Sequence, residues 1–364
     1  MYKALKFKYI NCYFESLVFS DMIFSEEILK WYRENKRQLP WRDTRDPYKV
    51  WISEIILQQT RVAQGMPYYQ RFVAQYPTVS DMARAREEEV LKLWQGLGYY
   101  SRARNMHATA KTVVSKLNGK FPETYEGLLK LKGIGDYTAS AIASFCFDEL
   151  QPVVDGNVYR LLSRYFGIDL AINSTAGIKQ FKELAKKVMS TTNIRDYNQG
   201  IMEFGAIQCA PRKPYCLHCP LNKSCVALAT NRIAELPVKL KKSKVKLKHF
   251  NYLVVVDANG QTILEQRKGK GIWQNLYQFP LLETKEEMAA ISLGQLKDLG
   301  LGDHPSILLY NERPMVHKLS HQHLYTKFWI LRTDKVVAKA IPWEKLPDFP
   351  VPVLIADFIK RFKF

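Results

Sequence analysis

The sequence predicts a mostly α-helical N-terminal part followed by a smaller α+β domain. Residues 25–229 carry helical periodicity almost throughout, and no long alternating strand interrupts them. The character changes near residue 237, where a lysine-rich stretch precedes short runs that are typical of strands. We therefore divide the chain into a possible extension at 1–23, a helical part at 24–230, a basic linker at 231–248 and an α+β domain at 249–364.

Capping residues give the starts of the predicted helices. Asp46 places a capping side chain before Pro47, a residue that suits the first position of a helix. A second helix opens near residue 80 and is expected to continue through Trp94, and a third opens at Thr124. These signals predict regular, capped helices over the first part of the chain.

Apolar runs predict the strands of the second domain, with Asn259-Gly260 as a turn between two of them. The predicted strands are NYLVVV (251–256), TILEQR (262–267), LYQFPLL (276–282), ILLY (307–310) and LYTKFWIL (324–331). Residues 284–297 predict a helix between the third and fourth runs. The domain is therefore expected to be a mixed sheet with a helix.

The charge of the chain indicates a polyanionic partner. Its 364 residues include 54 Lys and Arg against 35 Asp and Glu, a net charge of +19, and nucleic acid is the commonest polyanion that such a field attracts. No apolar run is long enough to span a bilayer. The first stretch is interrupted by Asn11, Glu15 and Asp21 and does not resemble a signal peptide. We expect a monomer without a membrane partner, located in the cytoplasm and associated with the nucleoid if bacterial.

Four cysteines within seventeen residues form the most specific pattern in the chain. Cys209, Cys216, Cys219 and Cys225 have the spacing C-x6-C-x2-C-x5-C. Buried cysteines without a ligand and two disulfides are the alternatives to a metal. Disulfides are disfavoured because no secretory signal precedes them and the chain has only two other cysteines, Cys12 and Cys146. A zinc site would more often use two separated C-x2-C knuckles, whereas one loop that supplies all four thiolates favours a [4Fe–4S] cluster. An iron–sulfur cluster is the prediction, and zinc is the alternative.

Residues 128–143 predict a helix-hairpin-helix. One helix is expected to end at Lys132, the chain turns through Gly133-Ile134-Gly135, and a second helix begins near Asp136. Glycines at 133 and 135 let the backbone approach a phosphate, and the N–H groups of the new helix point at the anion. This motif holds the DNA backbone without reading its sequence. An ordinary hairpin turn between helices is the alternative.

Two carboxyl groups are candidates for acid–base chemistry. Glu54 lies in a helix among Ile52, Ile55 and Ile56, so burial is expected to raise its pKa. Asp155 precedes a helix near Asn157, whose N–H groups are expected to hold the carboxylate ionised with a depressed pKa. Cleavage of a glycosidic bond requires one protonated and one ionised carboxyl group. In isolation, the two could equally be a solvated glutamate and a simple N-cap.

Together these motifs resemble the endonuclease III superfamily of DNA glycosylases, and within it the MutY-type adenine glycosylases. The runs that carry the resemblance are LPWR (39–42), SEIILQQTRV (53–62), WQGLGYYSRARN (94–105), GIGDYTASAI (133–142) and DGNVYRLLSR (155–164). The resemblance implies a helix-hairpin-helix glycosylase fold with an iron–sulfur loop. It also implies removal of adenine from duplex DNA that contains A:8-oxoguanine or A:G mispairs.

The resemblance implies a role for each catalytic residue. Glu54 matches the acid that protonates adenine, and Asp155 matches the carboxylate that stabilises the sugar cation. Tyr137 stands where bifunctional relatives carry a Schiff-base lysine, which implies base removal without efficient strand cleavage. Asn157 matches a residue beside the catalytic water.

Further matched positions are implied to contact DNA. Trp41, Arg42 and Glu203 match positions near the extruded adenine. Gln59, Thr60, Leu97 and Tyr99 match residues that fill the gap in the duplex or contact the facing base. Trp41 and Leu97 could equally belong to the hydrophobic core.

The C-terminal domain is similar to the MutT-related (Nudix-like) recognition domain of this family. No R-E-x-x-E-E cluster follows Gly271, so a binding module is expected rather than a second enzyme. Ser320 and His321 match the loop that reads 8-oxoguanine, while Leu319 replaces the family's phenylalanine. Two rival functions remain: a glycosylase of the same superfamily directed at another base, and a non-catalytic iron–sulfur protein that binds DNA.

Overall fold

The computed structural model describes residues 23–241, 245–302 and 304–362, so the predicted extension at 1–23 lies almost wholly outside the described residues. The chain forms two compact units. The first comprises the described residues up to Ser80 together with Ala108–Lys241, and the second comprises Asp81–His107 together with the described part of Lys242–Phe364. The sequence did not indicate that Asp81–His107 packs with the C-terminal residues. The predicted domain bounds stay a prediction.

The N-terminal part is helical, as predicted. Its helices are α1 (23–35), α2 (Pro47–Leu57), α3 (Val62–Gln75), α4 (Val79–Arg84), α5 (Glu87–Leu93), α6 (Ser101–Leu117), α7 (Tyr125–Leu129), α8 (Asp136–Phe147), α9 (Gly156–Phe166), α10 (Thr175–Lys187), α11 (Ile194–Ile207) and α12 (Val226–Ala229). Within the described ranges, no helix combines the length and apolar character that crossing a membrane requires.

The helix starts that the sequence predicts are confirmed at three helices, two of them with a capping side chain. The Asp46 carboxylate accepts the Tyr48 N–H at 3.0 Å in front of α2. The Thr124 hydroxyl accepts the Gly127 N–H in front of α7. Helix α8 begins at Asp136 with Gly135 as its N-cap. These local signals succeed because each depends on only three or four consecutive residues.

The helix predicted from residue 80 to Trp94 is wrong, because the segment forms α4 and α5 instead. Arg86 has an extended backbone (φ −73°, ψ 145°), and its N–H donates to the Glu89 carboxylate at 3.0 Å. This bond from the N-cap N–H to the Glu89 side chain, which is one half of a capping box, starts a new helix where the periodicity alone suggested continuation.

The core of the first unit joins α1, α9, α10 and α11. Phe24, Ile28, Phe181 and Phe204 are fully buried there, and three of the four loop cysteines pack against the same core. The cysteine loop is therefore attached to the helices that carry the predicted active site.

The second unit contains a five-stranded sheet and a two-stranded ribbon. The strands are β1 (Lys246–Val256), β2 (Glu265–Gln266), β3 (Tyr277–Gln278), β4 (Leu281–Thr284), β5 (Ser306–Leu309), β6 (Met315–Lys318) and β7 (Gln322–Arg332), and helix α13 (Val353–Arg361) follows. In the sheet the order is β4-β1-β7-β5, with β6 also paired to β7. β1 and β7 run parallel and the other pairs run antiparallel. Lys246 and Lys248 of the predicted linker lie in β1.

The helix predicted at 284–297 is wrong. β4 reaches Thr284, and only a 3-10 helix, Leu293–Leu299, forms later. Ser292 has an extended backbone, and its N–H donates to the Gln295 side chain at 2.9 Å. A helix cannot continue through a residue in this conformation. Ile291 and Leu296 are buried on both sides of this cap against the sheet.

Candidate active site

One cleft in the first unit collects most of the predicted site residues. It has a volume of ≈1020 Å³. The predicted residues that line it are Trp41, Arg42, Glu54, Gln59, Thr60, Gly135, Tyr137, Asp155, Asn157 and Glu203. These residues lie in α2, α8, α9 and α11, at the N-caps of α8 and α9, and in the loops before and after α2. The cleft is large enough for a nucleoside.

Glu54 and Tyr137 form the centre of the cleft. The Tyr137 hydroxyl, from the first turn of α8, donates to Glu54 Oε2 at 2.6 Å. Glu54 lies mid-way along α2 and is only 7% exposed. Burial raises the pKa of Glu54 to about 7, although the Tyr137 hydrogen bond works in the opposite direction. The predicted upward shift of its pKa is therefore confirmed, and the carboxyl group can hold a proton near neutral pH.

Asp155 caps α9 as predicted, but the predicted direction of its pKa is wrong. Oδ1 accepts the N–H groups of Asn157 and Val158, both at 2.8 Å, and Oδ2 accepts the Asn157 side-chain amide at 2.6 Å. Burial nevertheless raises the pKa of Asp155, because desolvation outweighs these three hydrogen bonds. Asp155 is thus a desolvated carboxyl group that three N–H donors hold in place.

Arg160 connects this aspartate to the cysteine loop. Its Nη2 donates to Asn157 Oδ1 at 2.9 Å and to the Gly205 carbonyl at 2.6 Å. Its Nε donates to the carbonyl of Cys209 at 2.8 Å. One buried guanidinium therefore orients the Asn157 amide, whose nitrogen in turn holds Asp155.

Glu203 forms a clamp with two arginines at the wall of the cleft. Arg37 donates to both carboxylate oxygens at 2.6 Å, and Arg42 donates to them at 3.0 and 2.7 Å. Burial works to raise the pKa of Glu203, but the hydrogen bonds from Arg37 and Arg42 prevail and hold it at about 2. Trp41 next to this clamp is buried edge-on against Tyr69, with ring centroids 5.0 Å apart. This side of the cleft is therefore lined by an ionised carboxylate that two arginines hold in place.

The loop after α2 presents Gln59 to solvent. Its backbone has φ +57°, which an L-residue rarely adopts, and its side chain is exposed. Thr60 follows and lines the same cleft. In the hairpin, Gly133 has φ +78°, which explains why this turn needs glycine.

The four cysteines line a second cavity in the first unit. Its walls are mostly apolar, and they include Leu161, Phe204 and Leu221. Arg164 is buried beside it, and its Nη1 donates to Cys209 Sγ at 3.5 Å. Among the residues that the structure describes, no three His, Cys, Asp or Glu side chains meet as ligands of a single metal ion. Four sulfurs around one apolar cavity, beside a buried cation, fit an anionic cluster that is bound by thiolates.

The other predicted contact residues lie in the second unit. Leu97 is buried, whereas Tyr99 is exposed and has φ +47°. The β6–β7 turn is closed by the Leu319 N–H, which donates to the Gln322 carbonyl at 2.9 Å, and it exposes Ser320 and His321. His321 Nδ1 lies 3.3 Å from the Ser320 hydroxyl.

Sequence reasoning missed three arginines of the site. Arg37 clamps Glu203, and Arg160 and Arg164 connect α9 to the cysteine loop. Arg160 and Arg164 are four residues apart on one face of α9 and flank two leucines, which is the signal that could have drawn attention to them. Arg37 left no such signal, because it lies in a run of mixed charges.

Comparisons with known proteins agree with this site. Residues 52–189 match the family model described as "HhH-GPD superfamily base excision DNA repair protein", and residues 251–361 match a NUDIX domain. A "Thymine/uracil-DNA glycosylase" of Methanothermobacter thermautotrophicus is 34% identical over 204 residues, which cover 56% of this chain and 92% of that protein. A solved thermostable thymine-DNA glycosylase superposes with a TM-score of 0.54 at 33% identity, covering 58% of this chain and 97% of that one. An endonuclease III–DNA complex, 22% identical with a TM-score of 0.50 over 57% of this chain and 94% of that one, supports the fold alone.

Other relatives extend over both domains. An "Adenine DNA glycosylase" of Buchnera aphidicola subsp. Baizongia pistaciae (strain Bp) is 35% identical over 312 residues, which cover 85% of this chain and 86% of that protein. The mouse (Mus musculus) "Adenine DNA glycosylase" is 33% identical over 411 residues, covering 95% of this chain and 80% of that protein. With the acid, the aspartate and the hairpin in one cleft, the chain belongs to the adenine DNA glycosylase family and is a DNA N-glycosylase of base excision repair.

Proposed function

We propose that this protein removes adenine that is mispaired with 8-oxoguanine or guanine, by acid-assisted hydrolysis of the N-glycosidic bond. One observation carries the proposal: the buried Glu54 carboxyl group, with its pKa near neutrality, lies in the same cleft as Asp155. A protein that only binds DNA needs neither group in this arrangement. Adenine must leave the base stack to enter such a cleft.

The first step is protonation of the leaving base. Tyr137 donates to Glu54 Oε2, so the transferable proton belongs on Oε1. A protonated purine is a much better leaving group than an anionic one, which is why general acid catalysis suits this bond. Glu54 is half protonated at a pH near its pKa of about 7, so it can act at neutral pH.

The second step is stabilisation of the sugar cation by Asp155. Its carboxylate is fixed by three N–H donors and cannot rotate freely. An anion in a poorly hydrated site interacts strongly with a developing positive charge. Asn157 can also orient the attacking water through its amide, since Arg160 fixes that amide on the other side.

Tyr137 argues for base removal alone. A phenol cannot form the imine that a lysine would form with the opened sugar. Here its hydroxyl is engaged with Glu54, and burial together with that neighbour raises its pKa well above its usual range. We therefore infer a monofunctional enzyme.

Two strained and exposed residues are the proposed contacts with the gap in the duplex. Gln59 and Tyr99 have positive φ values of +57° and +47°. Left-handed backbone at non-glycine residues is concentrated at functional sites. Ser320 and His321 supply hydrogen-bonding groups on the exposed β6–β7 turn, which we assign to reading of 8-oxoguanine. Leu97 is buried, and we assign it to support of the turn below Tyr99.

The share of this chain that each relative covers favours adenine over thymine as the base that is removed. The thymine/uracil relative covers 56% of this chain, whereas the mouse adenine glycosylase covers 95% of it. The C-terminal domain is the proposed reader of the base that faces the adenine.

We further propose that Cys209, Cys216, Cys219 and Cys225 hold a [4Fe–4S] cluster. When bound, the cluster supplies structural order rather than chemistry at the base. Arg164 donates to Cys209 Sγ and to the carbonyl of Ala210, so the loop's own residues are arranged around a negative charge. The exposed side chains of Arg212 and Lys213 in the same loop are suited to phosphates. A monomer in the cytoplasm, associated with the nucleoid in a bacterial cell, is the expected working form.

Glu54→Gln tests the activity. An amide cannot donate the required proton, so adenine release from A:8-oxoguanine and A:G duplexes should fall at least 1000-fold while DNA binding is retained. Single-turnover assays with and without alkali measure release and strand cleavage, and a T:G duplex tests the rival base. Glu126→Gln, on the exposed face of α7, is the matched control. Release by Glu54→Gln within tenfold of wild type would defeat the mechanism.

Metal analysis tests the cluster separately. Anaerobically purified protein should be brown and contain about four irons per chain. Stoichiometric zinc without iron would overturn the assignment, whereas the catalytic proposal would stand.

A further inference from the structure

Tyr99 lies at the end of an unusually constrained turn. Gly96, Gly98 and Tyr99 all have positive φ values, of +107°, +72° and +47°. The Trp94 indole N–H donates to the Gly98 carbonyl at 2.9 Å. Arg102 Nη2 lies 3.3 Å from the same carbonyl, and its guanidinium packs over the Trp94 ring at 5.0 Å. These internal contacts fix the middle of the turn but leave its two flanks to other partners.

Both flanks of the turn contact one residue of the C-terminal domain. Gln95 Oε1 accepts the Val351 N–H at 3.4 Å, and the Tyr100 hydroxyl donates to the Val351 carbonyl, also at 3.4 Å. Lys92 Nζ donates to the Phe349 carbonyl at 3.1 Å and to Gln95 Oε1 at 3.2 Å. Residues 349–351 therefore bridge the entry and the exit of the turn.

The helix that leaves the turn is held by a second loop of the same domain. Arg104 Nη1, in the first turn of α6, donates to the Gln274 carbonyl at 2.9 Å. The Tyr277 N–H donates to the Pro350 carbonyl at 2.8 Å, which ties this loop to residues 349–351. The two loops that contact the turn are thus hydrogen-bonded to each other. All of these residues belong to the second unit.

We propose that the C-terminal domain sets the shape of the turn that presents Tyr99, and that Gln95, Tyr100 and Arg104 are positioning residues through which it does so. This rests on the proposed function, since Tyr99 must enter a duplex for its shape to matter. A domain assigned to lesion reading would then have a second task that operates on every duplex, with or without 8-oxoguanine.

A double-mutant cycle tests this proposal in the full-length Glu54→Gln protein, so that no base is released. The probe is an A:G duplex with 2-aminopurine next to the guanine, because insertion of Tyr99 unstacks this base and raises its fluorescence. Tyr99→Ala should abolish the rise, and Arg104→Met should reduce it by at least half. Arg104→Lys, which keeps a donor for the Gln274 carbonyl, should restore it. Arg86→Met, a cation of the same segment that pairs with Glu89 of its own helix, is the matched control and should change nothing.

The same variants give a cycle in binding affinity. Arg104→Met and Tyr99→Ala should each weaken binding several-fold, and the double variant should be no weaker than Tyr99→Ala within about twofold. The proposal would be overturned if the double variant weakened binding by the product of the two single effects, or if Tyr99→Ala did not weaken binding. The slope of log Kd against log salt concentration gives a further test. If this slope is smaller by about one for Arg104→Met, Arg104 contacts a phosphate, and the proposal is overturned. If Arg104→Met does not fold, Tyr100→Phe takes its place, because it removes only the hydroxyl.

Failure of the proposed function is recognised independently. A wild-type protein that releases no adenine, but whose variants show the expected cycle, would defeat the glycosylase assignment and leave the positioning role intact. Adenine release together with multiplicative effects would defeat the positioning role alone.

Discussion

Glu54 lies where a negative charge is costly, and this cost governs how activity depends on pH. With its pKa raised to about 7, the acid form is lost as pH rises through neutrality. The single-turnover rate of adenine release should therefore fall above pH 7, approaching tenfold per pH unit. Measured rates from pH 5.5 to 9 should show this limb, and a rate that is flat between pH 6 and 9 would contradict the assignment of Glu54 as the acid.

The same shift in pKa makes a prediction about stability. A carboxyl group whose pKa is about 7 when folded, against 4.5 when unfolded, binds more protons in the folded state between these two pH values. Its contribution to the free energy of unfolding is therefore present below pH 4.5 and is lost as pH rises to 7. Integrated over this interval, the loss is on the order of 3 kcal/mol.

Glu54→Gln removes this dependence. The variant should be more stable than wild type by several degrees in Tm at pH 8 and nearly equal to it at pH 5. Thermal unfolding at the two pH values measures the difference. An equal Tm for both proteins at pH 8 would show that the buried carboxyl carries no such penalty.

Individual residues show what a sequence can and cannot predict. The apolar neighbours of Glu54 in α2 were sufficient to predict its raised pKa, since helix periodicity places them around it. The direction of the pKa shift of Asp155 was predicted wrongly. The capping hydrogen bonds, which lower the pKa, are local, whereas the burial that outweighs them comes from elsewhere in the fold. The clamp of Arg37 on Glu203 joins residues 166 apart in sequence, so no local pattern could predict it.

The contact between α9 and α11 depends on a glycine. A Cβ at Gly205 would lie 2.7 Å from the carbonyl oxygen of Asn157 and 2.8 Å from its Cβ. Helix α11 can therefore approach the first turn of α9 only where this residue has no side chain. The close approach also lets the Gly205 carbonyl accept Arg160 Nη2 at 2.6 Å.

Gly205→Ala should push the two helices apart at the active site. We expect a loss of about 1–3 kcal/mol in the free energy of unfolding and at least a tenfold slower excision, because Asn157 and Asp155 move together. Gly294→Ala is the control, since its Cβ would meet only the Ser292 hydroxyl oxygen at 3.9 Å. Denaturant unfolding and single-turnover rates measure both effects, and equal behaviour of the two variants would contradict the close approach.

Among helices and strands, those with local signals were predictable and those set by distant contacts were not. Helix α2 follows from its Asp46-Pro47 start. The segment at 284–297 looked helical by composition, but the burial of Ile291 and Leu296 against the sheet requires a break at Ser292. Strand β6 exists because it pairs with β7, and its four residues carry no strong pattern alone.

The residues that follow α12 belong to the first unit, which affects any shortened chain. The Leu236 carbonyl accepts Arg164 Nε at 3.0 Å, and the Val238 carbonyl accepts the Ile172 N–H at 3.0 Å. Leu236 itself is buried. A cut that removes the C-terminal residues and keeps these contacts of the first unit thus lies after Lys241 rather than after Thr230.

A chain that ends at Thr230 should be less stable than one that ends at Lys241 by about 3–5 kcal/mol. The estimate combines the lost burial of a leucine with a buried arginine donor left without its carbonyl. Urea unfolding of the two chains, compared at equal iron content, measures the difference. Equal stability would mean that residues 231–241 act only as a linker.

The discontinuous second unit has a consequence for synthesis. Arg104 must wait for Gln274, 170 residues later, and Tyr100 must wait for Val351, 251 residues later. At roughly 5–20 residues per second on the ribosome, this is an interval on the order of 10–50 s. During that time the C-terminal residues with which Asp81–His107 packs have not yet been synthesised. The chain on both sides of this segment can already fold. The nascent protein thus carries the turn that presents Tyr99 before its partners exist, and a chaperone that covers apolar segments would have its longest opportunity there.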